Sequence, residues 1–146
     1  MTLDVAEAVV IERPVDVVAG FAGDPLNAPR WWRHAASAEW RTDPPTMLGS
    51  QVLIRGHRFR RPTAALWELT EYTPGEQIAM RTTAGVFPRT RVLTWRPVGA
   101  RVTHMTMRVR AVPTRWWRPV TPVLARHARR AARRELAALA RLLERS

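Results

Sequence analysis

The stretch 121–146 restricts the fold more than any other, because it is the one long helical pattern in a chain otherwise written in strands. At about 100° per residue, Leu124, Ala128, Ala131, Ala132, Leu136, Leu139, Leu142 and Leu143 fall within one broad arc. Arg126, Arg129, Arg130, Arg133, Arg134 and Arg141 fall outside it. Such a helix has to lay its apolar stripe on another element. Near the middle of that stripe sits a carboxylate, Glu135, whose neighbours one turn away are Ala131, Ala132, Ala138 and Leu139. With no arginine in helical register, Glu135 needs a partner from elsewhere or a place in a cavity.

The chain upstream supplies the other element. Residues 5–12 alternate as a strand, with Val5, Glu7, Val9 and Ile11 on one face. Pro14 stands where a helix begins. Residues 15–21 form a short helix, Gly23-Asp24-Pro25 breaks it, and 27–32 make a second short turn ending in Trp31-Trp32. Strands then follow over 36–42, 50–59, 63–72, 77–83, 90–97 and 101–112. The breaks carry turn chemistry at Asp43-Pro44-Pro45, Met47-Leu48-Gly49, Arg61-Pro62, Thr73-Pro74-Gly75-Glu76 and Pro97-Val98-Gly99-Ala100. Connections this short join antiparallel neighbours. The order reads as α+β: a curved antiparallel sheet of about seven strands wrapped around one long C-terminal helix, in a single domain over 1–146. A lone helix does not fill the concavity of such a sheet, so a cavity between the two is the expected by-product.

Composition narrows the function classes. Cysteine is absent, which excludes disulfides, thiolate nucleophiles and zinc–sulfur sites. The 24 basic residues are all arginine, so no Walker lysine exists, and no glycine-rich phosphate loop or Gly-x-Ser-x-Gly elbow is present. His34, His57, His104 and His127 do not have metal-ligand spacing, so neither metal nor cofactor is expected. The N-terminal segment carries an acid where a signal peptide is basic, and no apolar run reaches membrane-span length, which points to a cytoplasmic protein. The net charge of +12 is spread over most segments and reads as solvated faces rather than a nucleic-acid footprint. A monomer or a homodimer fits equally well.

The pattern resembles the START-like, or SRPBCC, superfamily of helix-grip proteins, and within it the bacterial polyketide cyclase/dehydrase branch. The residues that carry the resemblance open with Val9-x-Ile11-x-x-Pro14-x-x-Val17-x-x-Phe21-x-x-Asp24-Pro25 and Arg30-Trp31-Trp32. They continue with Gly49, Leu69-Thr70-Glu71-Tyr72-x-Pro74-Gly75, Pro97-x-Gly99-x-Arg101-Val102-Thr103 and Glu135-Leu136-x-x-Leu139-x-x-Leu142-Leu143-Glu144. The resemblance implies the helix-grip fold over the whole chain. For function it implies a carrier or binding protein for a hydrophobic or aromatic small molecule, an aromatase/cyclase-type enzyme, or a peripheral lipid-transfer protein.

Candidate residues follow from these patterns. Glu135 is either a cavity acid or base, or the partner of an arginine on a facing strand. Glu7 shares a strand face with Val5, Val9 and Ile11, a face that the resemblance implies points inward, or frays into solvent at the strand end. His104 is a third acid/base candidate, and its direction is open: hydrophobicity turns Met105 and Met107 inward, whereas the resemblance implies that His104 and Thr106 face inward. The ligand-lining set is Trp31, Trp67, Leu69, Met80, Trp95, Leu124, Ala128, Ala131, Glu135 and Leu139. Arg115-Trp116-Trp117-Arg118 ahead of the cationic helix carries the composition of a membrane-interface segment, the minor of the partner readings.

Overall fold

The alternation of Leu3, Val5, Val9 and Ile11 builds the first edge of the sheet. It is seen in a computed structural model that describes residues 2–43, 48–85 and 88–145. The strands are β1 (Leu3–Ile11), β2 (Ala35–Trp40), β3 (Gln51–Arg58), β4 (Arg61–Thr73), β5 (Gln77–Thr82), β6 (Arg89–Gly99) and β7 (Val102–Ala111). They form one seven-stranded sheet in the order β1-β7-β6-β5-β4-β3-β2, every neighbouring pair antiparallel. Register shifts at Ala35/Ser37, Leu69/Glu71 and Pro97/Gly99 are bulges that bend their strands and help the sheet curl.

Between β1 and β2 lie α1 (Val15–Ala22) and a 3-10 turn over Pro25–Arg30. The Asp24 side chain accepts the Leu26 N–H at 3.0 Å and Pro25 opens the turn, so the residues that break α1 also start the next element. A second 3-10 turn, Arg115–Val120, runs directly into the 24-residue helix α2 (Thr121–Glu144). The proline-punctuated approach to that helix had not suggested a turn of its own.

The fold is therefore α+β and helix-grip, as expected. The helix lies mainly along β1, where Arg133 pairs with Glu7 at 3.0 Å. Its C-terminal end is held there too: Glu144 accepts the Glu12 N–H at 2.9 Å, and Arg13 donates to the Leu143 carbonyl at 2.9 Å. Leu136, Leu139 and Leu143 enter a core with Ile11, Val18, Leu69, Ile78, Leu93, Met105 and Met107. Leu124, Ala125 and Ala128 close a smaller cluster on Leu3, Val5 and Ala111.

One turn differs from the sequence expectation. The β3–β4 hairpin reverses at Phe59-Arg60, with φ of 52° and 63°, and not at Arg61-Pro62, which belong to β4. Two left-handed residues form the tight hairpin whose twist suits the flanking strands. Pro62 is tolerated because pairing with β5 starts only at Trp67, leaving the proline's other side at a free edge. The expected turn at Pro44-Pro45 and the residue Met47 lie outside the described residues.

Candidate functional site

Glu135 is 4% exposed. Its Oε1 lies 3.4 Å from Arg91 Nη1 on β6, and its Oε2 accepts the Arg33 backbone N–H at 2.8 Å. Of the two readings of Glu135, the geometry matches the partner on a facing strand. One carboxylate thus joins the helix, the sheet and the segment between the first 3-10 turn and β2.

Local structure explains why that segment presents its N–H to the helix. Both Trp31 and Trp32 donate to the Ala28 carbonyl, at 3.1 and 2.7 Å, and the chain then reverses at His34 with φ of 67°. The reversal lies directly on β3. A Cβ on Gly56 would stand 1.5 Å from the His34 carbonyl oxygen, so only glycine fits there.

Aromatic rings form the floor. Trp31 meets Trp32 edge-to-face with centroids 6.2 Å apart, and Trp32 meets Trp67 the same way at 5.4 Å. Arg91 lies 4.1 Å over the Trp32 ring and Arg89 5.3 Å over the Trp67 ring. Arg89 donates to the Ala84 carbonyl at 2.7 Å, and among the described residues it has no carboxylate partner. Burial first, then the charges of Arg91 and Arg58, push its pKa below the ordinary arginine value. The His34 imidazole is likewise lowered, by desolvation first and then by Arg58 and Arg33.

A concavity of about 290 Å³ opens between α2 and the 31–33 segment, lined by Trp31, Arg33, Arg134, Glu135 and Ala138. The buried Trp31 Nε1–H has no hydrogen-bond partner among the described residues, and the same holds for Trp95 Nε1–H. A larger concavity, about 770 Å³, lies on the sheet face turned away from α2, among Thr90, Thr94, Thr106, Arg81, Arg108 and Arg110. The bulged, twisted sheet is thus hollow on its outer side as well.

The remaining sequence candidates divide clearly. Trp31, Trp67, Leu69, Met80, Trp95, Glu135 and Leu139 all join the buried interior. There Leu69 and Leu139 are fully enclosed and fill the core, and Trp95 packs by α1, where a Cβ on Gly23 would stand 3.1 Å from its ring. Leu124 and Ala128 belong to the smaller cluster on β1 and β7, and Ala131 is half-buried. Glu7 faces α2 as its parity implied, but its carboxylate is taken by Arg133. His104 stands on the outer face, opposite Val10 and Arg96, because Thr103, Met105 and Met107 occupy the inner one. Hydrophobicity fixed that parity, and His104 is not part of the cluster at Glu135.

Arg91, Arg89, Arg33 and Arg134 were missed as site residues. The strand alternation Arg89-x-Arg91-x-Leu93-x-Trp95 already carried the two inward arginines. Among the described residues no cluster of acids and histidines could hold a metal ion, and no helix is long and apolar enough to cross a membrane.

Known proteins share this architecture. The Zhui aromatase/cyclase from Streptomyces sp. R1128 superposes with a TM-score of 0.80 at 15% identity, over 99% of this chain and 95% of that one. A START superfamily protein from Mycobacterium smegmatis gives 0.72 at 14% identity, over 97% and 94%. The di-domain aromatase/cyclase BexL from the BE-7585A biosynthetic pathway gives 0.79 at 16%; 94% of this chain is matched but only 45% of BexL, so the chain spans about half of that protein. A search of the curated proteins found no match. At such identities the likeness establishes the fold, while the family model described as polyketide cyclase/dehydrase and lipid transport matches residues 2–144, and the chain belongs to that family.

Proposed function

We propose that the protein binds a hydrophobic or aromatic small molecule at the concavity between α2 and the 31–33 segment, as a carrier or binding protein. The observation that carries this reading is a concavity of about 290 Å³ lined by Trp31, Ala138 and two arginines, beside a cluster of indole rings. That volume is at the lower end of ligand sites. The reading places no step on Glu135, whose two oxygens are already engaged by Arg91 and Arg33.

Native mass spectrometry of the protein as purified tests the reading directly, with an added small-molecule mass expected. A matching ligand at a hundred times its Kd stabilises by about 2.7 kcal/mol, which for a chain of this length raises the melting temperature by roughly 5–10 °C. Glu135→Gln should keep that shift. In a cyclase-type enzyme using Glu135 as acid or base, the same variant would bind normally and lose turnover. Unchanged turnover would remove Glu135 from the chemistry.

A lipid-transfer reading has one observation in its favour: Trp116 is 90% exposed on the 3-10 turn ahead of the arginine-rich α2. It requires pelleting with anionic vesicles at low salt that weakens on Trp116→Ala. Absence of pelleting ends it.

A further inference from the structure

We infer that the ligand of this concavity is an organic anion, a carboxylate on a flat apolar body, held by the guanidinium groups of Arg33 and Arg134. The inference rests on the small-molecule reading above and names the ligand's class. Its basis is the balance of donors and acceptors around one space.

Five residues line that space, and Glu135 is the one acid among them. Its oxygens are occupied, Oε1 by Arg91 at 3.4 Å and Oε2 by the Arg33 N–H at 2.8 Å. The side chains of Arg33 and Arg134 have no carboxylate within ion-pair distance among the described residues. Trp31, 4% exposed, contributes an indole that offers no acceptor. What remains unspent at the concavity is therefore all donor, and mostly cationic. Arg91 already balances the single charge of Glu135, so the charges of Arg33 and Arg134 are left over. A neutral ligand would leave this excess uncompensated, and a cation would meet it head-on. A carboxylate meets guanidinium groups through short charge-assisted hydrogen bonds, while Ala138 and the Trp31 ring leave room for an apolar body.

The test compares 2-naphthoate with its neutral isostere 2-naphthamide by calorimetry, on the wild type and on Arg33→Gln/Arg134→Gln. Both arginine side chains are exposed and, among the described residues, without a carboxylate partner, and the Arg33 backbone bond to Glu135 survives the substitution, so the double variant is expected to fold normally. The wild type should bind naphthoate at least tenfold more tightly than naphthamide, and the double variant should erase that preference. Equal affinities for the two probes, binding of neither, or a preference that survives the double substitution overturn the inference. The small-molecule reading itself falls only if the purified protein also carries no ligand mass.

Discussion

Glu135 and Arg91 illustrate what one buried charge asks of its surroundings. Deleting the arginine would leave a carboxylate in the interior with only the Arg33 N–H, and losing one member of a buried pair costs about 3–5 kcal/mol. Arg91→Ala is expected to lower the melting temperature by roughly 10 °C. Glu135→Gln, which retains an acceptor for Arg33, should cost clearly less. A thermal scan in which Arg91→Ala matched the wild type would show the pair to be energetically idle. The surface pair Asp4–Arg108 behaves differently. The hydrogen bond from Arg108 first, then the charges of Arg108 and Arg110, hold the Asp4 carboxyl below the ordinary aspartate pKa. Its stabilisation is therefore complete above the unfolded-state pKa and fades as the pH falls through the lowered folded value. In Arg108→Ala the Asp4 titration followed by NMR should move back up toward the ordinary value. At this scale the sequence was readable where periodicity alone decides. Glu135's place on the inner arc followed from helical spacing, whereas its partner on β6 is 44 residues away and depends on sheet register.

Element boundaries followed from hydrophobic alternation and turn residues, and the seven strands and two α-helices stand close to where those signals put them. The exceptions have physical reasons. The β3–β4 reversal uses Phe59 and Arg60 in left-handed conformation, which carries no glycine or asparagine signature. The turn at Arg115–Val120 contains Pro119, and prolines there masked a helical segment. Two substitutions test the elements themselves. Gly56→Ala should destabilise by about 3 kcal/mol or more, since its methyl would collide with the His34 carbonyl and part β3 from the segment that feeds Glu135 its N–H. Leu139→Ala, at a fully enclosed position on α2, should cost about 2–5 kcal/mol in denaturant unfolding. If Leu139→Ala proved neutral, α2 would not be seated on the core as described.

For the molecule as a whole, three groups of arginines have distinct places, besides those on solvated faces. Some guanidinium groups tie the helix and sheet together, as Arg133 does with Glu7. Others, Arg81, Arg108 and Arg110, rim the hollow outer face of the sheet. The third group surrounds the indole floor beside α2. Total charge was legible in composition, but this division was not, because it depends on which face of each strand turns inward. The floor has one more property. Trp32 stands edge-to-face with Trp31 at 6.2 Å and with Trp67 at 5.4 Å, and arginines lie over Trp32 and Trp67. Chromophores so close and so rigid couple optically, and near-ultraviolet circular dichroism reports such fixed packing. An occupant of the proposed site would touch the first ring of this series, so the protein would carry its own label: occupancy would be readable as a change in indole dichroism or emission, with no dye attached.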